Sequence, residues 1–312
     1  MKKTLALLLA LSMLIALAAC GGGAAPTAVQ TPADKPEEAP VTVPAEEENP
    51  GVETPAEEPP TEEAPADEAE IIVFAAASMT ETLTELKAEY EAAHPGVTVV
   101  YSFGSSGDLS KQIKQGAACD LFISAGQKQM NQLDVNASPE VNTDGSDYVV
   151  DGSRVDLLEN KVVLVVPEGN PKGIEGFEQL AGLLAEHDVF MAMGGVGVPV
   201  GEYTQKILAY YGLDEEELAN AGCITYGADV KEVTTHVSKG NVDCGVVYGT
   251  DAYSAGLTVL EGATPEMCGQ IIYPAAVIRS GQNPAAAGEF LAFLQTEEAM
   301  AVFEKVGFSP VA

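Results

Sequence analysis

Short apolar runs alternate with amphipathic stretches along the chain from Ile71 onward. Apolar runs of about four to eight residues are typical of buried strands, and apolar residues three or four apart line one face of a helix. The predicted strands are 71–75, 97–103, 120–123, 161–166, 189–193, 223–226, 244–248 and 270–278. The predicted helices lie around 79–90, 109–113, 203–211, 230–237, 290–294 and 300–303. Repeated strand-then-helix units predict an α/β fold with parallel sheets covered by helices on both faces.

The first 20 residues have the pattern of a secretory signal. Lys2 and Lys3 form a basic start, and the apolar run Leu5–Ala18 follows. This run is shorter than the roughly 20 residues that a membrane-spanning helix needs. Its end, Leu-Ala-Ala-Cys at 17–20, resembles the lipobox of bacterial lipoproteins, in which cleavage precedes an acylated cysteine. The resemblance implies lipidation of Cys20, and the alternatives are an ordinary signal or an uncleaved anchor.

Residues 21–70 form a low-complexity segment that is rich in acids and proline. The segment contains 14 acidic residues, one basic residue and 10 of the 19 prolines. It has no apolar periodicity, so it cannot bury enough surface to offset the entropy lost on ordering. We predict a solvated tether, which proline stiffens and like charges extend. The alternative is an acidic interaction tail.

The chain as a whole is strongly acidic, with 15 Lys and Arg against 47 Asp and Glu and a formal charge of −32. It lacks the basic surface that displaces counterions from nucleic-acid phosphates, which excludes nucleic acid as a partner. It also has little electrostatic attraction for an anionic membrane, so we expect membrane contact through the lipid anchor alone. An anion bound by such a protein is attracted by local dipoles, because the net charge repels it.

Cysteine and histidine spacing indicates neither a metal site nor a cofactor. Four cysteines remain in the exported part, and none is at C-x-x-C spacing. They are Cys119, Cys223, Cys244 and Cys268, and the three scattered histidines are His94, His187 and His236. The cysteines allow up to two disulfides in three connectivities. We expect buried free thiols, because a domain of this size does not need disulfides to be stable.

Several predicted helices begin where predicted strands end. Ser78 starts a capping-box pattern, Ser106 follows the second strand, Asp229 starts another capping box, and Tyr248 ends a strand. In open α/β sheets, ligands bind beyond the carboxyl ends of the strands. Helix N-termini at that edge present unpaired N–H groups and a partial positive charge. These positions predict a site for a small oxyanion with acceptor-only oxygens, such as molybdate or sulfate.

Five motifs at these positions resemble those of the molybdate-binding proteins of ABC transporters. They are Val73–Ser78, Phe103–Ser106, Asp120–Ala125, Val198–Gly201 and Gly245–Ala252, in order over about 71–312. The resemblance implies a type II periplasmic-binding-protein fold with two Rossmann-like lobes joined by a two-strand hinge. The expected first lobe comprises 71–158 and 251–312, and the expected second lobe comprises 159–250.

The resemblance also implies ligand contacts and partners. The serines Ser78 and Ser106 would contribute hydroxyl and N–H groups, Val200 and Val230 their backbone N–H groups, and Tyr248 its phenol. The ligand would be molybdate, with tungstate chemically almost equivalent, and the expected partners are an ABC permease and its ATPase. We expect a monomer that is lipid-anchored at the outer face of the cytoplasmic membrane, in the periplasm where an outer membrane is present.

Three alternatives stay open. The ligand could be sulfate, phosphate or another small oxyanion. An exported serine hydrolase could use Ser78 or Ser106, but Gly104-Ser-Ser-Gly107 is not the G-x-S-x-G elbow and no histidine has an evident partner, so we expect no enzyme. Asp108 is expected to face solvent; facing inward, it would favour a protonated oxyanion. The polar stretch 134–158 is assigned no role.

Overall fold

The computed structural model describes residues 68–311. The strands are β1 (Ala69–Ala76), β2 (Val97–Gly104), β3 (Leu121–Ile123), β4 (Val155–Asn160), β5 (Val162–Val166), β6 (Met191–Gly194), β7 (Ile224–Gly227), β8 (Cys244–Tyr248), β9 (Thr258–Gly262) and β10 (Ile271–Val277). The helices are α1 (Thr80–Ala93), α2 (Ser106–Lys114), α3 (Gln127–Asn131), α4 (Phe177–Ala185), α5 (Pro199–Tyr210), α6 (Glu215–Asn220), α7 (Val230–Ser238), α8 (Gly249–Ser254), α9 (Pro265–Cys268), α10 (Pro284–Phe293) and α11 (Glu297–Val306).

The N-terminal predictions fall mostly outside the described residues. The predicted signal 1–20, the lipidation site Cys20 and the tether up to residue 67 all lie there. The strand β1 begins at Ala69, so the last residues of the predicted 21–70 tether belong to the folded part. Among residues 68–311, no helix is both long enough and apolar enough to cross a bilayer.

The strands form two mixed five-stranded sheets, ordered β2-β1-β3-β10-β4 and β7-β6-β8-β5-β9. The pairs of β1 with β2 and β3, and of β6 with β7 and β8, are parallel. The strands β10 and β5 run antiparallel to their neighbours. The α/β prediction with two lobes is confirmed. The prediction of purely parallel sheets is wrong, because the strands that carry the chain between the sheets pair antiparallel within each one.

The chain passes between the two sheets twice, from β4 into β5 at Asn160–Val162 and from β9 back to β10. This is the two-strand hinge that the resemblance implies. The predicted lobe boundary at 250 needs correction, because β9 pairs with β5 in the second sheet. The second lobe therefore extends to Gly262. Hydrophobic periodicity did not reveal β9, since its residues are exposed or half-buried.

The polar stretch 134–158 is ordered by hydrogen bonds more than by apolar burial. The Arg154 guanidinium contacts Asp134 at 2.8 Å and Asn131 at 2.7 Å. The Asn142 amide donates to the carbonyls of Asp134 and Ser146 at 2.9 and 2.7 Å. Such contacts leave no hydrophobic period, so the stretch looked irregular although its end forms most of β4.

The four cysteines of the folded part are buried free thiols, as predicted. Burial raises the pKa of the Cys119 thiol to about 12. A thiol with a pKa this high stays protonated near neutral pH and is a poor nucleophile.

Candidate functional site

A small cavity of about 10 Å³ lies where the two lobes meet. It is smaller than the roughly 300–1,000 Å³ typical of pockets for drug-sized ligands. This is about the volume of one water-sized sphere, so the walls of the cavity lie close together in this structure. The lining residues are Ala76, Ala77, Ser78, Gly104, Ser105, Ser106 and Ala125 from the first lobe, and Val198, Pro199, Asp229, Val230 and Tyr248 from the second.

Four of the five predicted contact residues, all but Val200, line this one cavity. Val200 is fully buried in the first turn of α5, and its neighbours Val198 and Pro199 reach the cavity instead. The predicted positions thus converge on one point between the lobes, although they are spread over more than 150 residues of sequence.

Ser78 lies in a short 3₁₀ turn, Ala77–Met79, directly after β1. The predicted capping role of Ser78 is wrong: α1 begins after Met79, and no side chain caps it. The Ser78 hydroxyl instead contacts the Tyr273 hydroxyl at 3.0 Å, and the two groups are buried. The 3₁₀ turn lies between the strand and the helix, so Ser78 is one residue before the cap position, Met79, and lines the cavity instead.

Ser106 is the first residue of α2, and its neighbour Ser105 is the cap, accepting a hydrogen bond from the Asp108 N–H. The Ser106 hydroxyl oxygen accepts a hydrogen bond from the Ala125 N–H at 3.0 Å. An amide N–H only donates, so the proton of the Ser106 hydroxyl is free for another acceptor. The contact also fixes the loop after β3 against the start of α2.

The second lobe brings two helix N-termini to the cavity. Val230 is the first residue of α7, whose predicted cap Asp229 is confirmed by a 2.9 Å hydrogen bond from the Glu232 N–H. The N–H groups in the first turn of a helix have no intrahelical acceptor. Among the described residues, none of the recorded hydrogen bonds uses the N–H of Ser106, Val200 or Val230. Of these, Ser106 and Val230 line the cavity, so their N–H groups are donors available to an anion.

Tyr248 ends β8 and is buried against the cavity. Burial raises the pKa of its phenol well above the ordinary value, so the hydroxyl keeps its proton. That proton is donated to the carbonyl oxygen of Ala125 in the other lobe, at 3.2 Å. Tyr248 therefore links the lobes in this structure. It can donate to an anion only by releasing the Ala125 carbonyl.

The charge around the cavity is that of a neutral donor site. No lysine, arginine or histidine is among the lining residues, and Asp229, the one acid there, is turned toward the α7 N-terminus that it caps. Asp108 points away, as predicted, and forms an exposed ion pair with Lys111 at 3.0 Å. In this part of the chain, neither Ser78 nor Ser106 is hydrogen-bonded to a histidine, which gives no support to a serine nucleophile.

The lobes touch each other around the cavity. The Gly107 N–H donates to the Gly197 carbonyl at 2.9 Å. Lys231 follows the site residue Val230 and contacts both carboxylate oxygens of Glu81 at 2.8 Å. These contacts join α1 and α2 of the first lobe to the second lobe, so the structure is a closed form.

Lys231 also approaches the fully buried Asp251 of α8, whose Oδ1 lies 3.2 Å from the Lys231 Nζ. Neither oxygen of this carboxylate accepts a well-aligned hydrogen bond from the described residues. Burial raises the pKa of Asp251 to about 7, and Lys231 opposes the rise. Sequence analysis did not identify Asp251 or Lys231, because their contact with Glu81 forms only when α1, α7 and α8 pack together.

Two further residues behind the cavity were not predicted. Tyr273 of β10 contacts Ser78, and Asn160 at the end of β4 contacts Tyr273. Tyr273 lies inside an apolar strand run, and Asn160 lies two residues after the stretch 134–158, which was assigned no role. The sequence carried no local signal for either residue.

Comparison with known proteins agrees with this geometry. A family model for bacterial extracellular solute-binding proteins matches residues 71–309. A Bacillus subtilis protein named "Putative ABC transporter substrate-binding lipoprotein YvgL" is 35% identical over 240 residues, covering 77% of this chain and 86% of the relative. The molybdate-binding protein ModA of Escherichia coli is 32% identical over 254 residues, covering 77% and 89%.

A solved structure gives the same picture. The structure described as "substrate binding domain of putative molybdenum ABC transporter from Clostridium difficile" matches with a TM-score of 0.57 and 33% identity, covering 78% of this chain and all of that one. The chain belongs to the bacterial extracellular solute-binding proteins. It is a substrate-binding protein of the ABC-importer type, with a type II periplasmic-binding-protein fold, and this class binds its ligand without transforming it.

Proposed function

We propose that this protein binds molybdate, and tungstate equally, in the cavity between its lobes and delivers it to an ABC permease. The observation that carries the proposal is the donor set of the cavity, in which serine hydroxyls and unpaired helix N–H groups meet without a basic side chain. A fully deprotonated tetrahedral oxyanion has acceptor oxygens on every side and matches such a set. The relatives named for molybdate support the same ligand.

Fixed dipoles can supply the affinity that the acidic chain does not. A hydrogen bond to a charged group contributes about 1.5–3 kcal/mol. Micromolar binding needs about 8 kcal/mol, so five or six such bonds suffice. The helix N-termini add a favourable local potential in a site that little water reaches. Charge repulsion from the rest of the chain is screened over about 10 Å at 0.1 M salt.

The ligand proposal is tested by calorimetric titration of the purified full chain with molybdate, tungstate, sulfate and phosphate. We expect molybdate and tungstate to bind at micromolar concentration or below, and sulfate and phosphate at least about a hundredfold more weakly. The relatives named for molybdate support this order of affinities. Tighter binding of sulfate would contradict the proposal and make the protein a sulfate-binding member of the same class.

We propose further that Cys20 is lipidated and that residues 21–67 tether the binding domain to the outer face of the membrane. The lipobox pattern and a lipoprotein relative support this location. Cys20→Ala should move the protein from the membrane fraction to the soluble exported fraction. Cys223→Ala, which removes a buried thiol of the domain, is the matched control and should stay with the membrane. Membrane retention of C20A would contradict lipid anchoring.

A further inference from the structure

Behind the cavity, hydrogen bonds connect Asn160 to Tyr273 and Tyr273 to Ser78. The donor and acceptor of each bond can be assigned by starting at Asn160. The Asn160 Oδ1 accepts a hydrogen bond from the backbone N–H of Lys161 at 2.7 Å. A backbone N–H can only donate, so this contact distinguishes the oxygen of the Asn160 amide from its nitrogen. The Asn160 NH₂ group then faces Thr250 Oγ1 at 3.0 Å and Tyr273 Oη at 3.1 Å. Both oxygens are therefore acceptors.

The donor role of the Asn160 NH₂ determines which of Tyr273 and Ser78 donates in the next hydrogen bond. The phenol is fully buried, and burial raises its pKa well above the ordinary value, so it keeps its proton. Two groups lie within hydrogen-bond distance and geometry of the Tyr273 hydroxyl, the Asn160 NH₂ and the Ser78 hydroxyl, and of these only the Ser78 oxygen, at 3.0 Å, can accept the proton. Ser78 accepts from Tyr273, and its own proton is left to point elsewhere. Because Ser78 lines the cavity, this proton can point into it.

We propose that Asn160 and Tyr273 are positioning residues that fix the Ser78 hydroxyl as a hydrogen-bond donor to the bound anion. This inference rests on the proposed function, since it requires an oxyanion in the cavity. A fixed donor favours an oxygen without a proton, as in molybdate, tungstate or sulfate. It disfavours the P–OH group of hydrogen phosphate, which needs an acceptor.

The same amide connects the hinge with the site. Asn160 is the last residue of β4, directly before the chain crosses to the second lobe. Its second N–H bonds Thr250 in α8, which packs on β5 and β8 of the second sheet. The direction of the Ser78 hydroxyl is thus set by a group that both lobes hold in place, and it is defined before the anion arrives.

A double-mutant cycle between Tyr273→Phe and Ser78→Ala tests the proposal. It is run by calorimetry with whichever of molybdate, tungstate, sulfate and phosphate the wild-type protein binds most tightly. We expect Y273F to weaken binding about tenfold in the wild-type background and less than about twofold in the S78A background, because the residue acts through Ser78. Tyr203→Phe is the matched control, since Tyr203 is another buried tyrosine, packed edge-on against Tyr248, and should change affinity less than about twofold.

Equal losses in the two backgrounds, or no loss from Y273F, would overturn the proposal and leave Tyr273 a packing residue. Asn160→Asp provides a second variant should Y273F not fold. Its carboxylate accepts from Tyr273, which turns the Ser78 proton away from the cavity. In N160D we expect the affinity ratio of phosphate to sulfate to rise, and to return to its S78A value in the double variant. An unchanged ratio would contradict the proposed positioning of the Ser78 hydroxyl by Asn160 and Tyr273.

The experiment separates this inference from the ligand proposal. If the wild-type protein prefers sulfate to molybdate, the ligand proposal is overturned, and the double-mutant cycle is then measured with sulfate. Binding of none of the four anions overturns both proposals. If the wild-type protein binds molybdate tightly but the affinity losses of Y273F and S78A are additive, only the positioning role of Asn160 and Tyr273 is overturned.

Discussion

The two walls of the cavity are built by different chemistry. The first lobe presents side chains, the hydroxyls of Ser78 and Ser106, each of which has a hydrogen-bond partner behind it, Tyr273 and the Ala125 N–H respectively. The second lobe presents the N-termini of α5 and α7, where the polar groups belong to the backbone and the side chains are the apolar Val198, Pro199 and Val230. The first wall therefore depends on residue identity, whereas the second depends on helix position.

This difference predicts where the site tolerates substitution. Replacing a serine on the first wall removes a donor or introduces a competing group. Replacing a valine on the second wall leaves the N–H group in place and changes only packing. Tyr248 is the exception on the second wall, because its hydroxyl bonds the Ala125 carbonyl across the cavity. Its role is divided between holding the lobes and contacting the ligand.

The largest effect is expected from Ser106→Asp. The new carboxylate would lie against the dianion in a buried site, and the donated hydrogen bond would be lost. We expect at least about a hundredfold loss of affinity, since one charge-assisted bond alone is worth about 1.5–3 kcal/mol. Calorimetry measures the change. Ser280→Asp, on an exposed residue after β10, adds the same charge and should leave affinity unchanged; an equal loss there would refute the site assignment.

Closure of the two walls is tested by Gly107→Ala. A Cβ at Gly107 would lie 2.2 Å from the Gly197 carbonyl oxygen, and both are backbone positions that cannot move aside easily. The lobes should then stay apart, so the second-wall donors cannot reach the anion. We expect about a thirtyfold loss of affinity, roughly the value of one to two hydrogen bonds.

The control for closure is Gly288→Ala in α10, where no atom lies within 4 Å of the new Cβ. This variant should bind as the wild type does. Small-angle scattering should show that G107A stays more extended than G288A when molybdate is present. Compact G107A with full affinity would show that the Gly107–Gly197 contact is not part of closure.

The two walls are compared directly by Ser78→Ala and Val230→Ala. S78A removes one donor and should weaken molybdate binding about tenfold, since the Ser78 N–H remains. V230A keeps the Val230 N–H and should weaken binding less than about twofold, while lowering the melting temperature because it removes buried methyl groups. Calorimetry and thermal melting together separate the two effects. A larger affinity loss for V230A than for S78A would contradict the division between side-chain and backbone walls.

Sequence reasoning could find the first wall because its signals are local. A serine at the end of an apolar run and before an amphipathic helix is visible within ten residues, as at Ser106. The hydrogen bonds that connect Asn160, Tyr273 and Ser78 could not be found this way. Asn160 and Tyr273 are 113 residues apart and meet only when β4 and β10 pair. The strand β9 was missed for a related reason. It lies at the edge of its sheet and has little apolar burial to leave a pattern.

The smallest effect concerns the charges that hold the walls together, through Asp251 and Lys231. Burial raises the pKa of Asp251 from its ordinary value to about 7, so the folded state binds this proton more tightly than the unfolded state. The group then stabilises the fold at low pH, and the stabilisation is lost as pH rises from about 4 to about 7.

Asp251→Asn removes the titration while keeping the shape. The melting temperature of D251N minus that of the wild type should therefore become more positive between pH 5 and pH 8, by about 3 °C for each 1 kcal/mol. Thr234→Ser, at a buried residue of α7 without a titratable group, offers a control, and its difference from the wild type should not change with pH. A flat difference for D251N across the range would mean that Lys231 keeps the carboxylate ionised throughout, and that the ion pair behind the second wall carries charge at all these pH values.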